Sequence, residues 1–574
     1  MEYLSHIVNL ALFYVALTVS LNLILGYGGM ASLSHAAFFC IGGYVSAIVT
    51  LQLSAHFLIG VVLAVAITMI VGGVLAAPFI RVKEEYVLLF TLSFQMVIYH
   101  LMMSMDGITG GDSGIFGVPL PEILGWSPES PAQFLPFMAA VLVLVYWIAL
   151  KVTRSPFGRV LKGCREDDSA VSSLGKNVLK FKVTIFMVGT GIAAGMGAIF
   201  AHYTQFINPS IGSLDASILI IAMVVLGGTA NLMGSAVGAT LLIIIPEVLN
   251  FIPGASDLIV PLRGAIYGIL LIIFMRFRPE GLIPEYFHLR KRSVKEKIVQ
   301  SAKNFDETVI GKEVLKNADV SQGKVVLEVK GLSKAFGGLK AVDDFSISLE
   351  QGKVTALVGP NGCGKTTAFN LITGFLRPDK GKIFFNGRDI TNYSAHRMPQ
   401  FGIVRSWQDV RIFKEMTVLD NILIARQNQP GERLSQLFFT PWKVKQEEAE
   451  NLKKASTYLE AVGLVEKRME LAHDLSYAEQ KLLAIARMLA SDAWILLLDE
   501  PSSGVDPNWV DHFMKMIRNL ARSGKTICLV EHNLEVVRGV SDKVYFMAGG
   551  QKISQGSVEE VMADPELGEI YFGV

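Results

Sequence analysis

The chain has 574 residues, 18% of them charged and 51% hydrophobic, and a net charge of +1 at neutral pH. That length accommodates a membrane domain plus one or two soluble ones, and the absence of a basic excess argues against a nucleic-acid partner. Four scattered cysteines (Cys40, Cys164, Cys363, Cys528) with no CxxC spacing argue against a disulfide framework or a zinc site and suit a reducing compartment.

The average hides a split. Residues 1–284 hold 13 Lys and Arg and 14 Asp and Glu, and the rest of the chain holds 39 and 37. The first half is thus about 10% charged against a globular norm of about 25%. No Lys or Arg precedes the first apolar run, so it reads as a retained helix and not as a cleaved leader. Apolar stretches recur near 7–25, 31–50, 57–80, 86–104, 134–150, 183–205, 217–229, 234–251 and 262–277. Most approach the roughly 20 residues that cross a hydrocarbon core. The run at 217–229 is short and contains Gly227-Gly228, so a full helix, a broken helix and a re-entrant turn all remain open. The expectation is a polytopic helical membrane domain over 1–284 with eight or nine spans.

Orientation follows from the loops. Segment 151–182 carries eight Lys and Arg, whereas 105–133 and 206–216 carry none. The positive-inside rule places the first in the cytoplasm and the other two outside. Arg276, Arg278 and Arg290-Lys291-Arg292 put the end of the membrane domain inside as well. Among intramembrane polar groups, Glu247 and Arg263 could pair across adjacent spans. His35, His100 and His202 have no ligand-like spacing, and the glycines at 189, 191, 195 and 197 suit close helix packing. The turn Thr109-Gly110-Gly111 reads by default as a flexible external loop.

Residues 285–324 are polar, lack apolar periodicity and begin beside a basic cluster suited to anionic membrane lipid. They are expected to be a cytoplasmic linker. β-type alternation resumes at Val325, and the soluble domain is expected over 325–574. There a buried strand (Val354–Val358), the loop GPNGCGKT (359–366) and a helix from Lys365 form a phosphate-binding P-loop. Gly359, Gly362 and Gly364 let successive backbone N–H groups face a phosphate, and the helix N-terminus adds partial positive charge. Lys365 would reach the β- and γ-phosphates of ATP, and the Thr366 hydroxyl would ligate Mg²⁺. A second apolar strand, Ile495–Leu498, ends in Asp499-Glu500. There Asp499 could hold Mg²⁺ through water and Glu500 could polarise the attacking water. His532, at the end of a third strand (Thr526–Val530), could contact the γ-phosphate. The turn Ser503-Gly504-Val505-Asp506 follows the second strand.

GPNGCGKT, Gln408 in RSWQDVRIF, LSYAEQ (475–480), LLLDEP, GVDP and VEH occur in the order of an ATP-binding-cassette (ABC) domain. Together with FKEMTVLDNILIA they resemble the branched-chain amino acid uptake subtype (LivG-type). The membrane half is similar to that family's LivM-type permease through GYGGMASLSHAAFFCIGGY (26–44), YVLLFTLSF (86–94), TGG (109–111), residues 155–175, AMVVLGGTANLMGSAVGA (222–239) and FRPEGL (277–282). The resemblance implies two normally separate proteins fused in one polypeptide, an ATP hydrolase coupled to transport in an inner membrane. It implies that Phe336 stacks on adenine and that Pro360, Asn361, Cys363 and Thr367 complete the nucleotide site. Gln408 would sense Mg²⁺ and the attacking water, and 155–175 would form the cytoplasmic coupling helix.

The same resemblance implies that Leu475, Ser476, Tyr477, Ala478 and Glu479 form a signature loop serving ATP on an opposing cassette. This loop departs from the family's LSGGQ. An added methyl at Ala478 and a carboxylate at Glu479 are expected to weaken a γ-phosphate contact through crowding and like-charge repulsion. Because one chain supplies one permease and one cassette, a second permease, a second ABC ATPase and an external solute-binding protein are implied, with a homodimer as the alternative. An exporter, or a membrane-tethered regulatory ATPase, also stays open. Substrates fitting the resemblance are branched-chain amino acids, urea, short amides and small carboxylates.

Overall fold

In a computed structural model, the described residues are 2–249 (apart from 80, 81, 83, 123 and 124), scattered positions between 265 and 286, and 323–563 apart from 506. Arg263, Asp506, the basic cluster 290–292, nearly all of the linker and most of the run at 262–277 lie outside them. Backbone contacts divide the chain into two units, Met1–Arg165 with Val178–Lys295, and Glu166–Asn177 with Glu296–Val574.

The first unit is helical: α1 (Glu2–Asn22, continued by a π-turn Leu23–Tyr27), α2 (His35–Gln52), α3 (Phe57–Phe79), α4 (Glu84–Ser104), α5 (Pro131–Thr153), α6 (Pro156–Glu166, whose last residue belongs to the second unit), α8 (Val178–Thr204), α9 (Leu214–Gly227) and α10 (Leu232–Leu249). Among the described residues six helices are long and apolar enough to cross a membrane, and α9 and α10 are shorter apolar helices. At about 1.5 Å per residue, the 14 residues of α9 fall short of a hydrocarbon core. The helix stops at Gly228, whose φ of +123° suits glycine.

Helix contact in lipid depends on small residues, because lipid is as apolar as leucine and supplies no hydrophobic drive. Helices α2 and α8 show this. A Cβ at Gly197 would lie 1.8 Å from the Phe39 carbonyl oxygen, and one at Gly42 would lie 2.2 Å from that of Ala194. The glycines of α8 therefore pack helices, as their composition implied.

Polar side chains buried in this unit satisfy backbone where helices break. The non-helical stretch between Tyr27 and His35 ends at α2, where Gln95 Oε1 accepts from Ala37 N (2.9 Å) and Ser217 Oγ from Ala36 N (3.2 Å). Asn22 bridges to Ala230 N, Asn231 O and Ser235 Oγ. An unpaired amide there would cost free energy, so these residues fix the breaks. His35 Nε2 lies 2.7 Å from Ser20 Oγ, and His202 lies between Ser46 Oγ and Pro119 O. Glu247 accepts from the Tyr3 hydroxyl at 2.7 Å; its expected partner Arg263 is outside the described residues.

One expectation is corrected. The Thr109–Gly111 turn is built, not flexible: Thr109 is buried and its hydroxyl donates to Met102 O and Met105 O. Gly110 and Gly111 have φ of +73° and +59°. Behind them β1 (Ile115–Phe116) pairs antiparallel with β2 (Phe206–Ile207). Glycine-rich composition reads as mobility in sequence; here it provides left-handed backbone and close approach.

The second unit contains α7 (Asp168–Ser173) and an α/β domain with two sheets. An antiparallel sheet has the order β4 (Leu339–Glu350), β3 (Val325–Phe336), β6 (Lys380–Phe385), β7 (Arg388–Asp389). A mainly parallel sheet has the order β12 (Gln551–Gly556), β11 (Lys543–Ala548), β5 (Val354–Val358), β10 (Thr526–Val530), β9 (Ile495–Asp499), β8 (Ile403–Arg405). Strands β5, β9 and β10 are buried at every position, which explains their unbroken apolar reading. Helix α11 (Lys365–Ile372) follows β5; α12 (Val418–Leu423), α13 (Leu434–Phe439), α14 (Pro441–Ala461) and α15 (Tyr477–Ala490) lie between β8 and β9.

Candidate nucleotide site

Parallel pairing sets the site. Val354 to Leu357 of β5 run in register with Ile527 to Val530 of β10, and β10 with β9, so Val358, Asp499 and Val530 finish at one sheet edge. The loop 359–364 leaves β5 there. All three of its glycines have a positive φ, and two of them are also required by space. A Cβ on Gly359 (φ +152°) would lie 2.0 Å from Met547 O, and one on Gly364 (φ +106°) 2.2 Å from Ala341 O. Gly364 caps α11, so the free N–H groups of that helix open toward the loop. Lys365 is buried, with Nζ donating to Gly359 O (2.8 Å) and Pro360 O (2.9 Å) inside the loop.

Three residues expected near the γ-phosphate come together. Gln408 Nε2 donates to Glu500 Oε2 at 3.1 Å, and His532 Nε2 lies 3.1 Å from Glu500 Oε1. Glu500 itself takes a positive φ of 47°, an uncommon angle for a side-chain-bearing residue and typical of functional positions. Thr366 Oγ1 lies 3.5 Å from Asp499 Oδ2. Phe336, half exposed at the end of β3, has Lys334 Nζ 5.9 Å above its ring.

A buried cation beneath this cluster was not among the residues expected from sequence. Arg405, the last residue of β8, donates from Nη2 to Asp499 Oδ2 at 2.7 Å, with both side chains only 1% exposed. Its Nη1 donates to Asn370 Oδ1, and its guanidinium lies over Trp407 and Phe369. Burial pulls the Arg405 pKa down from its ordinary value, and Asp499 opposes that. Lys481 was also missed: its ammonium donates to the carbonyls of Glu500, Pro501 and Ser503, clamping the turn after β9. Glu531 accepts from Ser502 N at 2.8 Å on the other side. The one available signal was position, since Arg405 ends an apolar strand three residues before Gln408.

The signature segment corrects a second expectation. Ser476 caps α15, and Glu479 completes a capping box with it. The Glu479 carboxylate accepts from Ser476 N and Oγ and pairs with Lys467 at 2.7 Å. Burial disfavours its charge, yet the hydrogen bonds from Lys467 and Ser476 outweigh it and hold the pKa below the usual carboxylate range. A charge already committed to a helix cap and a lysine does not stand as free repulsion toward phosphate. Glu479→Gln keeps the cap and loses only a partly exposed ion pair, worth about 0–1 kcal/mol. Steady-state ATPase of that variant is expected to match the parent, and a loss above roughly fivefold, about 1 kcal/mol at 298 K, would contradict this account.

Residues 166–177 lie in the same unit. Asp167 caps α7 through Ser169 N and Ala170 N and pairs with Arg411 at 3.3 Å. Glu166 accepts from Glu415 N, and Gln427 Nε2 donates to Leu174 O at 2.8 Å. Lys176, almost wholly buried, donates to Arg426 O and pairs with Glu432. Arg487 is buried behind Arg411; burial pushes its pKa down to about 10, against the pull of Asp167 and Glu166. Ser173 and Leu174 line one small cleft with Trp407, Arg487, Asp499 and Glu500. Lys176→Ala removes the buried ammonium that ties residues 166–177 to Arg426 O and Glu432, so transport is expected to fall more than ATPase. Parallel transport and phosphate-release assays give that ratio.

Residues 3–275 match the family of branched-chain amino acid transport permease components, and residues 342–503 match the ABC transporter family. A probable branched-chain amino acid transport ATP-binding protein LivG from Archaeoglobus fulgidus is 40% identical over 248 residues, 43% of this chain and 95% of that protein. A high-affinity LivG protein from Salmonella typhimurium is 38% identical over 250 residues, 43% of this chain and 98% of that protein. A solved nucleotide-free ATP-binding cassette of an ABC transporter is 38% identical and covers 43% of this chain and 99% of its own, with a TM-score of 0.39. ATP binding, a membrane-embedded permease and a multi-subunit assembly follow from these relationships. The chain belongs to the ABC transporter family and joins a branched-chain-type permease to a LivG-type ATP-binding protein in one polypeptide.

Proposed function

We propose that this chain is the permease–ATPase subunit of an importer for branched-chain amino acids or a related small polar solute in a cell's inner membrane. The observation that carries the coupled mechanism is the meeting of Gln408, Glu500 and His532 in the unit that also holds 166–177. The permease-type half and the names of the LivG relatives support the solute class. We assign residues 1–284 to the permease, 285–324 to a linker and 325–574 to the cassette, with 166–177 as the permease's coupling segment.

The nucleotide would lie with adenine on Phe336 and its phosphates on residues 359–367. Oxygen donors suit Mg²⁺, and Asp499 Oδ1 is buried with no hydrogen-bond partner among the described residues. Thr366, Asp499 and Gln408 would hold the ion directly or through water, and it would supply charge neutralisation at the β- and γ-phosphates. Glu500 would orient and deprotonate the attacking water, with Gln408 and His532 fixing its two oxygens. Leu475–Glu479 would meet ATP on an opposing cassette. Closure and release of two cassettes would be transmitted through Asp167, Leu174 and Lys176.

Partners in this reading are a second permease, a second ATPase and an external binding protein. The test is reconstitution of the tagged assembly in liposomes with ATP inside and binding protein plus radiolabelled leucine outside. Inward, ATP-dependent accumulation with stimulated ATPase supports import; ATP-driven efflux of preloaded solute, or ATPase indifferent to binding protein, would overturn it.

A further inference from the structure

A cassette surface next to the coupling segment carries aromatic side chains that a water-facing protein would hide. In α13 and the start of α14, Phe439 is 79% and Trp442 64% exposed, while Leu437 and Val444 are buried and anchor the two helices. Arg433, Lys443 and Lys445 are exposed around the aromatics. Both helices pack on the turn Pro430–Glu432, and Glu432 pairs with Lys176. Lys176 stands two residues before α8, a 27-residue apolar helix.

We propose that Phe439 and Trp442, with Arg433, Lys443 and Lys445, form a finger seated in the headgroup layer of the cytoplasmic leaflet, with anionic lipid as its partner. The inference rests on the reading of the first unit as membrane-embedded. Trp and Phe gain at the interface because their rings are apolar while the indole N–H stays hydrated. Lysines can lay their stems along that layer and present ammonium groups to lipid phosphates. A solvent-facing role explains neither aromatic, and burial against the cassette is excluded by their exposure. Such a finger would hold the Glu432 turn, and with it the lock on Lys176, at a fixed depth.

All four cysteines are buried, so a nitroxide can be placed selectively on Trp442→Cys, on Phe439→Cys and, as a water-facing control on the same helix, on Lys453→Cys. The full chain with its partner subunits is placed in nanodiscs of phosphatidylcholine and phosphatidylglycerol. At positions 439 and 442, collisions with oxygen are expected to exceed those with a water-soluble nickel chelate, and the order should reverse at 453. Chelate accessibility at 439 and 442 equal to the control would overturn the proposal. So would protection from both quenchers, which would mean a protein partner covers the patch. Failure to enter nanodiscs at all would instead count against the membrane reading.

Discussion

Glu500→Gln is expected to lower ATP turnover by roughly 10²–10⁴-fold, the usual contribution of a positioned general base, while nucleotide still binds. The geometry makes this a local loss. Glu500 is held from two sides, by Gln408 Nε2 at 3.1 Å and by His532 Nε2 at 3.1 Å. An amide of the same shape keeps the contact surface but cannot take the proton of the attacking water. One of the two hydrogen bonds also becomes a donor–donor clash unless the amide rotates or the imidazole changes tautomer. Turnover measured by phosphate release, beside ATP retention on the purified assembly, separates the two effects. Unchanged turnover would remove Glu500 from the chemistry. Transport should fall with hydrolysis, because the variant would hold ATP without releasing it.

Arg405→Met is expected to cost about 3–5 kcal/mol of stability, the cost of stripping one partner from a buried ion pair. Asp499 would lose its counter-charge in a site 1% exposed, with Oδ1 already lacking a hydrogen bond among the described residues. Arg405→Lys should recover only part of the loss, since one ammonium cannot reproduce a guanidinium that reaches Asp499 and Asn370 with separate nitrogens. A second change, Asp499→Asn in the Arg405→Met background, removes the stranded charge and should raise the melting temperature above that of the single variant. Thermal denaturation of the four combinations gives the coupling energy. Additive effects would mean that the pair does not act as a unit. Nucleotide affinity titrated against Mg²⁺ provides a second readout, because Asp499 is shared between Arg405 and the proposed metal position.

The elements nearest the nucleotide were the most legible. Strands 354–358 and 526–530 and the helix from Lys365 occur where glycine spacing and apolar runs predicted them, and Ile495–Asp499 extends the predicted strand by one residue. A phosphate loop requires glycine at fixed positions, and a strand buried on both faces requires an unbroken apolar run. The membrane half was legible as spans for the same reason, since lipid imposes length and composition. Side-chain destinations were not. Glu479 read as a charge against phosphate and is a helix cap; Thr109-Gly110-Gly111 read as slack and is pinned. In each case the residue type was visible and the partner that the folded backbone brings to its side chain was not.

Arg405 and Lys176 mark that boundary. By itself the sequence determined that an ATP-hydrolysing cassette follows a lipid-embedded helical half, because phosphate binding, water activation and membrane insertion each demand residue types at short spacing. Only the tertiary structure decided that Arg405 neutralises Asp499 across 94 positions and that Lys176 reaches Glu432 across 256. A buried charge must find an opposite charge somewhere in the folded chain, and which one it finds is fixed by packing, over distances that no local pattern records.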